Sequence, residues 1–170
     1  MDLNIIKKSD FEKIIKIKFN NILDGFEEYN YIELSSNKNN KNEAELDFIK
    51  SIEMFFDLNE GSLLIDFYKD RLTKESVRFI KNNLDKEDIN SFDELLKLVK
   101  SEEIYYKVEN KKYIKLLTKL CTRELFFITF YFYKFPATLW GNYNLSFPLF
   151  FDDHDKIYDY INIAKINNLL

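Results

Sequence analysis

The chain has 170 residues, 46% hydrophobic and 32% charged, with a formal net charge of −4. A chain of this size buries about 70% of its unfolded surface and needs neither disulfide nor structural metal for a core. Its 17% aromatic content, against only three glycines and two prolines, excludes a largely disordered protein. Cys121 and His154 are the only residues of their kinds, which excludes an internal disulfide and a Cys/His zinc site and fits a reducing compartment. The first ten residues lack a signal-peptide core and carry acids, so a cytoplasmic protein is expected.

Ser9 and Glu12 match the capping-box pattern. Phe11, Ile14, Ile15, Phe19, Ile22 and Leu23 then recur at helical spacing as far as Gly25, predicting a helix over about 10–24. Tyr29, Tyr31, Ile32 and Leu34 suit a short strand, while 35–42 contains no apolar residue and reads as a mobile polar loop. A second helix is expected over about 43–58, with Phe48, Ile49, Ile52, Phe55 and Phe56 on one face, ended by Gly61. Leu63, Leu64, Phe67 and Tyr68 have helical spacing, although Leu63-Leu64-Ile65 opens a strand equally well. Thr73 starts a further helix, and Ser91 with Glu94 repeats the capping box before the stripe Phe92, Leu95, Leu96, Val99.

Ile104 to Val108 suits a short strand, and Tyr113, Leu116, Leu117, Leu120 and Cys121 make a helical stripe. From Phe126 to Phe151, 12 of 26 residues are aromatic and Lys134 is the only charge. A membrane-spanning helix needs about 20 apolar residues without a break, and Pro136, Asn142, Asn144 and Pro148 interrupt the run, so β structure is expected. A Gly141-Asn142 turn would set Trp140 opposite Tyr143 and Thr138 opposite Leu145 in a hairpin over about 137–147, with Pro148 at a sheet edge or bulge. Asp152, Asp153, His154 and Asp155 then precede a C-terminal helix as capping acids. The expected class is α+β: one domain, 1–170, whose mainly helical N-terminal two thirds pack on a small antiparallel sheet.

Gly25, Gly61 and Gly141 stand alone, so no phosphate-cradling loop exists, and no serine sits in a nucleophile elbow. Asp152 to Asp155 with His154 hold metal-ligand chemistry, yet helix capping explains the acids without an ion. Glu109-Asn110-Lys111 has the E-x-K spacing with which some metal-dependent nucleases hold a cation and a water, and Glu109 and Lys111 form the catalytic alternative.

Charge is blocked along the chain, at −5 over 43–60, −4 over 85–103 and +5 over 104–134. Lys111, Lys115, Lys119 and Arg123 recur every four residues and form a helical stripe that suits phosphates or an acidic partner, although the negative total weighs against nucleic acid. Glu43, Glu45 and Asp47, with Glu87, Asp88, Asp93 and Glu94, offer an acidic surface to a basic partner. The expected function is therefore non-catalytic binding of another protein through that surface, with no cofactor, metal or membrane. An immunity protein or inhibitor of a basic bacterial toxin would have this profile.

Overall fold

In a computed structural model, residues 3–152 and 157–170 are described, and they build helices around one antiparallel sheet. The strands are β1 (Leu3–Ile6), β2 (Asn30–Ser35), β3 (Leu63–Asp66), β4 (Tyr105–Val108), β5 (Thr129–Phe132), β6 (Ala137–Trp140) and β7 (Ser146–Phe151), in spatial order β1-β4-β3-β5-β6-β7-β2. The helices are α1 (Lys8–Ile14), α2 (Ile22–Glu28), α3 (Lys41–Leu58), α4 (Lys74–Asn82), α5 (Lys86–Leu98), α6 (Lys111–Thr122) and α7 (Tyr158–Ile166). The α+β class read from the sequence holds. The sheet is larger than the hairpin-centred one expected, because β1 to β4 arise in the stretch read as mainly helical.

Successive side chains along a strand point to opposite faces, and the two faces of this sheet differ. Leu63, Ile65, Phe130, Phe132, Leu139 and Leu149 are buried together with apolar residues of α3, α5, α6 and α7. Each such side chain contributes about 1.5–3 kcal/mol on burial, so this face holds the main core. The alternate residues Leu64, Asp66, Thr129, Tyr131, Thr138 and Phe150 lie on the other face. There α1 contributes Phe11 to a smaller cluster with Leu64 and Tyr131. Phe19 and Phe26 pack on Phe150 beside it, with ring centroids 4.8 and 5.2 Å away.

The helix expected over 10–24 is two helices separated by an irregular segment that bends at 16–17 and 20–21. Ile15 and Ile17 are buried while Lys16 is exposed, a period of two that follows the sheet. Ile14 and Leu23, which the helical stripe would have turned inward, are exposed. Ser9 lies inside α1 and caps nothing, and Lys18 closes the helix by donating to the carbonyls of Ile15 (2.7 Å) and Glu12 (2.9 Å). Asn21 caps α2, accepting from the N–H groups of Leu23 and Asp24. The second expected capping box fails likewise: α5 starts at Lys86, five residues before Ser91, whose hydroxyl donates to the Glu87 carbonyl.

The polar loop is shorter than expected, since β2 runs to Ser35 and α3 starts at Lys41, with Asn40 accepting from the Asn42 N–H. Thr73 does cap α4, through the Ser76 N–H. The ambiguous stretch after Gly61 is a strand, and the positive φ values of Glu60 (51°) and Gly61 (75°) turn the chain out of α3.

The 137–147 hairpin has a different register. Thr138 pairs with Phe150 and Leu139 with Leu149, so residues 141–145 form the connection and the positive φ values fall on Asn144 and Leu145. Gly141 instead lies against α6 and Ile128, where a Cβ would come within 2.7 Å of the Cys121 Sγ and of the Ile128 carbonyl oxygen. Close approach of backbone, not turn geometry, requires this glycine. Pro148 is not at an edge: β7 lies between β6 and β2, with Pro148 opposite Glu33 on β2. The pairing with β6 begins one residue later, which accommodates the missing N–H. Asp152 is exposed ahead of α7, and the rest of the acidic cluster, Asp153, His154 and Asp155, lies outside the described residues.

Candidate functional site

The expected basic stripe and the expected acidic surface meet each other. Helix α6 is flanked by α3 and α5, and its four stripe residues pair with acids from both. Lys111 meets Asp57 of α3 at 2.6 Å, Lys115 meets Glu87 of α5 at 3.6 Å, and Lys119 pairs with Asp88 and, at 3.2 Å, with Asp85. Arg123 holds Glu45 of α3 through two hydrogen bonds of 2.8 Å and donates to the Asn83 carbonyl.

Of the seven acids expected to face a partner, Glu45, Asp47 and Asp88 are buried. Asp47 pairs with Lys38, Asp93 with Lys81 and Glu94 with Lys112, leaving Glu43 exposed on α3. Hydrogen bonding to Glu45, together with its charge and that of Asp85, outweighs burial and raises the Arg123 pKa. Burial pulls Lys119 down, but its bonds to Asp88 and Asp85 prevail and leave it raised. The bond and charge of Lys119 hold Asp85 below the usual carboxylate range. The blocked charges thus act inside the fold, where acids of α3 and α5 interrupt a row of like charges that would otherwise repel.

Glu109 and Lys111, the catalytic alternative, lie where β4 leads into α6; Glu109 pairs with Lys107 at 3.1 Å and Lys111 with Asp57. Among the described residues no group of three or more His, Cys, Asp or Glu side chains could hold a metal ion. Cys121 is fully buried, and burial pushes its thiol pKa up. No helix among the described residues is long and apolar enough to cross a membrane.

A different arrangement stands on the opposite face of the sheet. Two adjoining cavities of about 440 and 270 Å³ share Phe19, Asn20, Tyr105 and Tyr131, and Asp66 lines the smaller one. Asp66 ends β3 next to β5, so the Thr129 N–H reaches its Oδ1 at 2.7 Å. The Thr129 hydroxyl and the Tyr131 hydroxyl reach Oδ2 at 3.0 and 3.4 Å. The walls are aromatic. Tyr105 stacks on Phe11 with ring centroids 3.6 Å apart, Trp140 lies 5.5 Å from Phe19, and the Arg71 guanidinium sits 4.2 Å over the Tyr68 ring.

Asp66 is only 5% exposed, and no ion pair reaches it among the described residues. Burial pushes its pKa up to about 6, against the lowering effect of the bonds from Thr129 and Tyr131. Burial and then the Asp66 charge push Tyr68 up to about 12, and the same two causes, in that order, raise Tyr105 and Tyr131. A perturbed carboxyl under a concave aromatic wall is the arrangement from which binding and catalytic sites are built.

This cleft escaped the sequence reading. Its one legible signal is Asp66 itself, an acid inside the apolar run Leu63-Leu64-Ile65-Asp66-Phe67. Its other members include Tyr105, Tyr131 and Trp140, which the strand order β4-β3-β5-β6 brings together, and Phe19 and Asn20 from the segment between α1 and α2. Comparison with protein-family models, curated proteins and solved structures finds no match for this chain.

Proposed function

We propose that this protein is a non-catalytic binding protein and that its binding centre is the aromatic cleft over Asp66. The observation that supports this is the buried carboxylate at the base of an open cavity, held by neutral donors alone. A carboxyl perturbed by burial and set in a cleft is a physical marker of a candidate functional site. The acids of α3 and α5 serve the fold in this reading, so a partner would enter over Asn20 and not across the charged helices.

The role of a bacterial immunity protein or toxin inhibitor in the cytoplasm suits a small binding protein of this kind, with a partner side chain seated in the cleft. Site-specific photo-cross-linkers test the placement. One at exposed Asn20, on the cleft rim, should capture the physiological partner, and one at Glu94, on the charged helices, should not. Capture at Glu94 alone would return the site to the acidic surface.

A further inference from the structure

We infer that the cleft recognises a cationic group, an ammonium or guanidinium on a short stem, seated against the Asp66 carboxylate between aromatic rings. This rests on the reading of the cleft as the binding centre and adds the class of ligand.

A carboxylate removed from water is costly unless a cation or metal meets it, and donors that are only neutral compensate in part. Asp66 is met by one N–H and two hydroxyls, all neutral. Its own backbone N–H adds a further lowering effect, and that donor is neutral as well. The cavity beside it is bounded by Phe19, Tyr68, Tyr105, Phe127, Tyr131 and Trp140. Ring faces carry negative potential and attract a desolvated cation. Arg71, the one cation on that wall, lies over the Tyr68 ring and makes no ion pair with Asp66 among the described residues. The cavity therefore joins a buried carboxylate to aromatic walls, and its own cation, Arg71, is engaged on the Tyr68 ring and not on Asp66.

Binding a cation favours the ionised carboxylate, so affinity should rise with pH through the range in which Asp66 titrates. The other ionisable groups around it are Tyr68, Asp70 and Arg71 after β3, Tyr105 on β4, Tyr131 on β5, Cys121 on α6, Lys8, Glu12 and Lys18 from the α1 side, and Asp24 and Glu28 on α2.

The test uses the full chain and three aromatic probes of similar size: benzylammonium, benzyl alcohol and benzoate. The readouts are the NMR signals of the Thr129 amide, which donates to Asp66, and of the Trp140 indole, the only tryptophan. Benzylammonium should bind about tenfold or more tighter than the other two near neutral pH. Its affinity should fall roughly tenfold between about pH 7.5 and pH 5, following protonation of a group that titrates near 6. Asp66→Asn should abolish the preference, and if that variant does not fold, the pH profile of the wild type decides. Benzyl alcohol or benzoate binding equally well, a flat pH profile, or signals unmoved by all three probes would each overturn the inference. Capture at Asn20 judges the cleft independently of these outcomes.

Discussion

Lys119 of α6 and Asp88 of α5 form an ion pair whose side chains are 9% and 5% exposed, the most deeply buried of those between the two helices. Removing one partner strands the other without compensation, so Lys119→Met should lower stability by about 3 kcal/mol. Combining it with Asp88→Leu should restore most of the loss, because an apolar pair of similar volume avoids the desolvation cost. Urea denaturation of the two single variants and the double variant checks this; a double variant no better than the singles would show that the pair is not coupled.

Asn59 fastens α3 to the chain around Phe135. It is fully buried, donates to the Phe55 carbonyl (2.9 Å) and the Tyr160 hydroxyl (2.6 Å), and accepts from the Phe135 N–H (2.9 Å). The Tyr160 hydroxyl donates in turn to the Phe135 carbonyl at 2.6 Å. Tyr160→Phe leaves that carbonyl without its donor and should cost about 1–3 kcal/mol. Asn59→Ala removes three bonds and should cost more. The order of the two denaturation midpoints is the measurement, and Tyr160→Phe at the wild-type midpoint would refute it.

Where the sequence reading succeeded, local signals and tertiary demands agreed. Helix α3 and helix α6 carry apolar stripes that face the main core, and Thr73 caps the helix that follows it. Where it failed, the sheet overrode the local pattern. Ile15 and Ile17 obey a period of two because a strand face lies beneath them, and two capping-box matches were spent inside helices whose starts lie upstream. The charge blocks were legible, but their mutual pairing was not, since Glu45 and Arg123 are 78 residues apart. The cleft was hidden for the same reason: Asp66 and Thr129 meet across 63 residues through strand pairing alone.

Gly141 sets how closely β6 approaches α6. An added Cβ would stand 2.7 Å from both the Cys121 Sγ and the Ile128 carbonyl oxygen, and the carbonyl is backbone that cannot swing aside. Gly141→Ala should therefore destabilise by about 1–3 kcal/mol through overpacking. Cys121→Ala in the same chain relieves the sulfur contact and leaves the carbonyl contact, so it should recover only part. Full recovery, read from thermal midpoints of the three variants, would assign the strain to Cys121 instead. Gly141 also lines the Asp66 cavity, so the Trp140 signal should shift in Gly141→Ala.

Asp66 predicts an unusual pH dependence of stability. Its carboxyl binds a proton more tightly in the folded state, at about 6, than at the ordinary value of 3.8. The unfolded chain then releases its proton first as pH rises, so the folded state holds more protons between those values and stability from this group falls across that window. At 1.36 kcal/mol per pH unit the loss is about 3 kcal/mol, complete above the folded-state value. Most carboxylates in folded proteins act in the opposite direction, so the contribution is isolated by difference. Asp66→Asn should gain stability relative to the wild type as pH rises from about 4 to 6, and the gap should stay constant above it. Guanidinium denaturation of both proteins across that range measures the gap. A gap that does not change with pH would place the Asp66 carboxyl at its ordinary value and remove the stored cost on which cation recognition depends.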